Sequence, residues 1–187
     1  MKNLYLIGGG GHCKSCIDVI ESSREFIIRG VFDVKEKVGT DTCGYKIIGT
    51  DTDIKNHVES DNYFLITVGQ IKDPAARTKI FEMNLNFATV ISTRAHVSKH
   101  AKIGIGTIVM HDALVNAGAR IGKNCILNTK SLVEHDAIVE DFCHISTGAI
   151  LNGGCLVKKS SFIGSNAVLR EKSVIEENSV IAFGTKI

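Results

Sequence analysis

The sequence predicts a chain in two parts: a small α/β domain with a parallel sheet over residues 1–90, then a parallel β-helix over residues 91–187. Three observations predict it. From Ile91 to Ile181 every sixth residue is aliphatic, and the frame never slips. The fifth place of each six-residue block is small throughout, as in Ala95, Thr107, Ala119, Cys125, Ser131 and Cys143. Ahead of the array, apolar strand patterns alternate with helical ones, and the first strand runs straight into Gly8-Gly9-Gly10-Gly11.

A period of six suits neither an α-helix nor a hairpin sheet, but it is the repeat of a parallel β-helix. Each block supplies one short strand and one corner. The aliphatic residue points inward and stacks on its equivalent one coil away, with backbones about 4.8 Å apart. The small residue sits where the corner leaves little room. Gly or Asn often fills the fourth place (Gly106, Gly118, Asn124, Gly148, Gly154), and both tolerate the positive φ that corners use. At three blocks per coil, the array predicts a little over five coils.

In the first part, residues 3–7 read as a buried strand, and a helix follows from about His12 to Ser22. Phe26 to Phe32 reads as a second strand ending at Asp33. A short strand is expected from Tyr45 to Ile48 and a weak helix from Asp51 to Val58. Tyr63 to Val68 reads as a third buried strand ending at Gly69-Gln70. Asp73 caps a further helix with Pro74 at its first position, running to about Met83. Strands alternating with helices imply a small Rossmann-like parallel sheet. Ligands of such sheets bind beyond the carboxyl ends of the strands. Those ends carry the glycine run, Asp33, Gly69 and Gln70, the predicted substrate-binding residues of this part.

The glycine run does not complete a dinucleotide fingerprint, because Cys13 stands where the third glycine belongs. A glycine turn at a helix N-terminus can still cradle a phosphate through backbone N–H groups. The net charge of +2 gives no nucleic-acid footprint. The opening stretch is too short in apolar residues for a signal peptide or a membrane span, so a cytoplasmic location is expected. Of the six cysteines, Cys125, Cys143 and Cys155 occupy small fifth places and read as packing residues. Cys13 and Cys16 form a C-x-x-C with no second pair, which reads as structural spacing.

A short α/β unit opening Gly8-Gly9-Gly10-Gly11-His12, followed by an uninterrupted hexapeptide array, resembles the sugar acetyltransferases of the PglD and NeuD type. The most specific segments are Ile126-Leu127-Asn128-Thr129, Val133-Glu134-His135-Asp136 and Asp141-Phe142-Cys143-His144-Ile145-Ser146. The resemblance covers nearly the whole chain, and it implies a left-handed coil. General crossover physics alone would favour the right hand in ~98% of cases. It also implies acetyl-CoA as co-substrate, a nucleotide-linked sugar as acceptor, no metal, and a homotrimer with coenzyme A in the groove between adjacent coils.

Among the seven histidines, His135 stands out through its flanking acids Glu134 and Asp136. An amine must lose a proton as it attacks a thioester, and a neutral imidazole is a suitable base near pH 7. A carboxylate on the other ring nitrogen would fix its tautomer. The resemblance puts the catalytic base at His135 and its acidic partner at Asp136, where close relatives carry the longer Glu. It also implies that His144 touches acetyl-CoA, and that His12 reaches the acceptor. Gly153, Ser165 and Phe183 complete the expected coenzyme site, with Gly153 leaving room for the pantetheine arm. His57, His96 and His100 read as solvated, and His111 as structural. The chain ends at Phe183-Gly184-Thr185-Lys186-Ile187, without the G-x-P-A-K segment that relatives use at the coenzyme's far end.

The reaction these residues imply is acetylation of the 4-amino group of a nucleotide-linked, UDP-type amino-dideoxy sugar by direct transfer. The nearest alternative is O-acetylation of a sialic-acid-like sugar. A zinc hydratase would need an H-x4-H pair that the sequence lacks. A purely structural trimer would not need acids and a histidine grouped in one coil.

Overall fold

The structure, a computed structural model, describes residues 1–69, 71 and 73–187. Residue contacts separate a unit built from Met1–Gly69 and Ala76–Ala88 from a unit that carries Thr89–Ile187.

The first unit is a five-stranded sheet. Its elements are β1 (Lys2–Ile7), α1 (Gly11–Ser23), β2 (Phe26–Phe32), β3 (Asp41–Thr42), β4 (Tyr45–Gly49) and β5 (Asn62–Ile66), with α2 (Ala75–Phe81) leading back towards the array. The spatial order is β3-β4-β2-β1-β5, and only β3 runs antiparallel, against β4. That hairpin was not expected from sequence; it turns on Cys43 and Gly44, both at positive φ. Ile7 pairs with Phe32 on one side and with Ile66 on the other, so the three strands end in line. Their ends therefore deliver Gly8, Asp33 and Thr67 to one edge.

Burial explains the sequence pattern. Leu4, Leu6, Val31, Phe32, Phe64 and Leu65 are fully buried, each worth about 1.5–3 kcal/mol in apolar transfer. Helix α1 buries Cys13, Cys16, Ile17 and Ile20, the i, i+3, i+4, i+7 stripe of one helical face. The C-x-x-C is thus part of a packing stripe. Burial pushes the Cys13 thiol up to about 11 and the Cys16 thiol higher still.

Local hydrogen bonds set the boundaries. Strand β5 stops at Ile66, short of the expected Val68, because Thr67 turns back: its hydroxyl donates to the carbonyls of Ile7 and Gly8 at 3.1 and 2.6 Å. The weak helix is a 3-10 helix over Asp51–His57, closed by a capping box between Thr50 and Asp53. The Asp73 carboxylate accepts the N–H of Ala75 at 2.8 Å at the start of α2. His57 is not simply solvated. It packs against Tyr5 and Phe32, with ring centroids 5.0 and 5.4 Å apart.

The second unit is a three-faced parallel coil. Its first face stacks six two-residue strands, among them Val90–Ile91, Ile108–Val109, Ile126–Leu127, His144–Ile145 and Phe162–Ile163. The second face holds five, including Leu114–Val115, Leu132–Val133 and Ile150–Leu151. The third also holds five, including Arg120–Ile121, Ile138–Val139 and Leu156–Val157. Every partner lies eighteen residues away, for example Val133 with Val115 and with Leu151. The inward column from Val109 to Leu169 is buried throughout its length.

Fourth places adopt the left-handed region even where the residue is not Gly or Asn: Lys130, Asp136, Phe142, Ser160 and Lys172 all lie near φ +60. A side chain there costs on the order of 1–2 kcal/mol. Bonds between coils help hold it, as when the N–H of Asp136 donates to the carbonyl of Ala117 and that of Gly154 to His135.

Fifth places on the corner between the third and first faces do more than fit. They read Thr107, Cys125, Cys143, Ser161 and Ser179, each with a polar hydrogen. Thr107 donates to Gly122, Cys125 to Glu140, Cys143 to Lys158 and Ser161 to Glu176, always to a corner carbonyl fifteen residues on. The cysteines are free thiols serving as hydrogen-bond donors, and no disulfide joins Cys125 to Cys143.

Candidate active site

His135 stands at the third place of its block, on the corner between the second and third faces. Its side chain is 61% exposed. The Asp136 carboxylate lies 3.0 Å from its Nδ1. Consecutive side chains rarely meet, and here the left-handed backbone of Asp136 brings them together. The short aspartate arm suffices for that reason. The pair holds Nδ1–H towards the carboxylate and leaves Nε2 as the free base. The hydrogen bond to Asp136, with the charges of Asp136, Glu134 and Glu171, raises the histidine's affinity for a proton above its usual value.

Two glycines flank this pair. A Cβ on Gly153, one coil above, would lie 2.7 Å from both Cε1 and Nε2 of His135. The space a Cβ would take at Gly153 is therefore taken by the imidazole. Gly118, one coil below and at positive φ, faces the Asp136 carboxylate, and a Cβ there would collide with Oδ1. The sequence reading took Gly118 only as a corner glycine, although it lies eighteen residues before Asp136, where coil stacking must place it.

His144 lies on the first face, between Ile126 and Phe162, and is 6% exposed. Its ring meets Phe162 edge-on at 5.1 Å. The Asn128 carbonyl oxygen accepts the N–H of Thr129 at 2.8 Å, so its amide nitrogen is the atom 3.2 Å from His144 Nε2. An NH2 group can only donate, so His144 Nε2 is an acceptor and the proton sits on Nδ1. Ser165 is bonded to Ser146 through their hydroxyls at 3.0 Å. Phe183 is 84% exposed, in the same corner column as Ser165. Ser165 and Phe183 thus mark the corner between the first and second faces. His135 and Gly153 mark the corner between the second and third. One chain does not bring the two sets together.

In the first unit the expected substrate residues converge at the carboxyl edge of the sheet. The N–H of Gly9 donates to Asp33 Oδ2 at 2.8 Å, Lys37 pairs with the same oxygen at 2.8 Å, and the N–H of Val34 donates to Oδ1 at 2.7 Å. Partial burial pushes the Asp33 carboxyl up, but these three donors outweigh it and hold it below its usual range. Asp33 therefore braces the glycine turn. Gly9 must be glycine, since a Cβ would meet Asp33 and Ile47, whereas Gly10 and Gly11 face open space. A Cβ on Gly69 would come within 3.3 Å of the Cβ of His12. Gln70 lies outside the described residues. Sequence reasoning missed Arg77, a buried guanidinium that donates to the carbonyls of Ile66 and Val68 at the end of β5. It also missed a cavity of about 430 Å³ lined by Phe32, Asp33, Lys35, Thr52, Val68 and Ile80.

A family model described as the PglD N-terminal domain matches residues 3–84. The whole chain superposes on the acetyltransferase domain of PglB from Neisseria gonorrhoeae, with a TM-score of 0.91 and 29% identity, covering 100% of this chain and 91% of that one. The same domain in complex with acetyl coenzyme A gives 0.89 and 28%, covering 100% and 92%. In its N-terminal domain and over its whole fold the chain is similar to the PglD/NeuD-type hexapeptide sugar acetyltransferases. Its second unit is accordingly a left-handed β-helix. An uncharacterized protein of Acanthamoeba polyphaga mimivirus is 34% identical over 122 residues, which take up 64% of this chain and 23% of the viral one. The chain thus spans under a quarter of that relative's length.

The corner at His135 combines an exposed imidazole, a carboxylate that fixes its tautomer, and glycines above and below. Among the described residues no cluster of His, Cys, Asp or Glu could hold a metal ion, and no helix is long and apolar enough to cross a membrane.

Proposed function

We propose that the chain is an acetyl-CoA-dependent N-acetyltransferase acting on the 4-amino group of a nucleotide-linked amino-dideoxy sugar, with UDP the preferred nucleotide. The observation that carries this is the His135–Asp136 pair, with Nδ1 held at 3.0 Å and Nε2 left open on a corner. The amine nitrogen attacks the thioester carbonyl, and His135 Nε2 takes the proton it loses. Asp136 stabilises the resulting imidazolium. The tetrahedral intermediate then expels the thiolate of coenzyme A, which takes the proton back from His135. No covalent enzyme intermediate is required. The buried thiols, with their raised pKa values, are unsuited to act as nucleophiles.

Acetyl-CoA as donor is supported by the complex of the 28%-identical PglB domain with that molecule. An amine acceptor is favoured by charge. Glu134, Asp136 and Glu171 all act on His135, so the corner repels the carboxylate of a sialic-acid-like sugar and puts no such penalty on an amine. The glycine turn braced by Asp33, with His12 and Gly69 beside it, suits the nucleotide part.

The separation of the two coenzyme corners supports a homotrimer. Leu114, Leu132, Ile150 and Val168 form a half-exposed apolar column on the second face, between those corners. Packing that face against a neighbouring chain would set His135 of one subunit opposite Ser165 and Phe183 of the next.

Incubation with acetyl-CoA and a panel of UDP-, GDP- and CMP-linked amino sugars, followed by mass spectrometry, tests the reading. It predicts one added acetyl group on a UDP-4-amino sugar. Acetylation confined to free or CMP-linked nonulosonates would replace it with the O-acetyltransferase alternative.

A further inference from the structure

We propose that Glu134 is a positioning residue for His135, acting as a strut between the catalytic corner and the coil below. The inference rests on the reading of His135 as the base.

Second-place asparagines show the local rule. The N–H of Ala117 donates to Asn116 Oδ1 at 2.7 Å, and that of Thr129 to Asn128 Oδ1 at 2.8 Å. Each side chain caps the next backbone N–H and so fixes the direction in which the third-place residue leaves the corner. Glu134 does the same for His135, its Oε2 accepting that N–H at 3.1 Å.

Glu134 adds a further contact through the same oxygen. The same Oε2 also accepts a hydrogen bond from Asn116 Nδ2 at 2.9 Å, one coil below. The orientation of the Asn116 amide is settled by its own bond, because Oδ1 is held by Ala117 and only the NH2 is left to face Glu134. A continuous path of bonds therefore runs from the backbone of Ala117 through Asn116 and Glu134 to the backbone of His135. His135 needs it: the ring is mostly exposed, and Asp136 holds it only through Nδ1, the nitrogen nearer the backbone. Hydrogen bonds through Glu134 and Asp136 restrain the residue at its backbone and at its ring.

The test is steady-state kinetics on Glu134→Ala, Glu134→Gln and Asn116→Ala, with His135→Ala and the double variant Glu134→Ala/His135→Ala beside them. Loss of the strut should lower kcat about tenfold in Glu134→Ala and leave KM for acetyl-CoA unchanged. Glutamine keeps an acceptor oxygen, so Glu134→Gln should retain most of kcat. Its acid limb should move to lower pH, because one negative charge near the imidazole is gone. Asn116→Ala should fall between the two. In the His135→Ala background, Glu134→Ala should cost nothing more, since it acts only through the histidine.

Wild-type kcat in Glu134→Ala would overturn the inference, as would a loss of the same size in the His135→Ala background. If Glu134→Ala does not fold, a kcat in Glu134→Gln as low as that of His135→Ala, or a wild-type kcat in Asn116→Ala, overturns it equally. The reading beneath fails separately: it falls if His135→Ala keeps normal turnover, whatever Glu134 does.

Discussion

Gly153 and His135 share one space: a Cβ on the glycine would sit 2.7 Å from Nε2 of the imidazole on the coil below. The coil thus orients its exposed histidine by omitting a side chain above it. Gly153 lies outside the positive-φ region, so its backbone accepts alanine. Gly153→Ala should therefore fold with a melting temperature within a few degrees of wild type and lose about 10- to 100-fold in kcat, since small misplacements of a base are costly. Parallel melting and kinetic measurements check both halves.

Gly118 gives the opposite balance. Its φ of +77 and the Asp136 carboxylate next to it both oppose a side chain. Gly118→Ala should cost about 1–3 kcal/mol of stability, measurable by denaturant unfolding. It should also lower turnover, through a displaced Asp136.

The pH dependence follows from the sign of the His135 shift. Asp136, followed by the nearby carboxylates, stabilises the imidazolium, so the ring stays protonated to a higher pH than a free histidine, whose pKa is about 6.5. The base is active only when neutral. The kcat/KM profile should fall on the acid side with an apparent pKa above that value. Asp136→Asn removes the charge, so its limb should shift towards lower pH while its maximal rate drops. A limb unmoved in Asp136→Asn would separate the titration from His135.

The corner ladder makes a claim about stability alone. Ser161 donates to the Glu176 carbonyl at 2.8 Å, and Cys143 to that of Lys158 at 3.1 Å. Ser161→Ala should lose about 1 kcal/mol, whereas Cys143→Ser, which keeps a donor, should change stability far less. Urea unfolding of the two variants distinguishes a donor ladder from mere small-residue packing.

Much of this was legible in the sequence. A period of six is rare enough that Val109, Val115 and Ile121 already declare the coil, and the eighteen-residue stacking follows from it. His135 and Asp136 were readable as a pair by chemistry. Their contact was less so, because it depends on the left-handed backbone at Asp136, and no residue type there demands that conformation. Gly118 and Gly153 could both have been placed by counting eighteen residues, yet only the coordinates show which side chain fills each gap. Asp33 shows the same limit. Its position at the end of β2 suggested a ligand contact, and only the structure adds that Lys37, Val34 and Gly9 bond its two oxygens. The β3–β4 hairpin was missed because a two-residue strand carries no periodicity.

The most direct measurement is the turnover of His135→Ala with acetyl-CoA and a UDP-4-amino sugar, on protein whose melting curve and oligomeric state match wild type. The account predicts a loss of at least about 10²-fold in kcat, the usual reach of general base catalysis, with acetyl-CoA still bound. Turnover near the wild-type rate in that variant would contradict it.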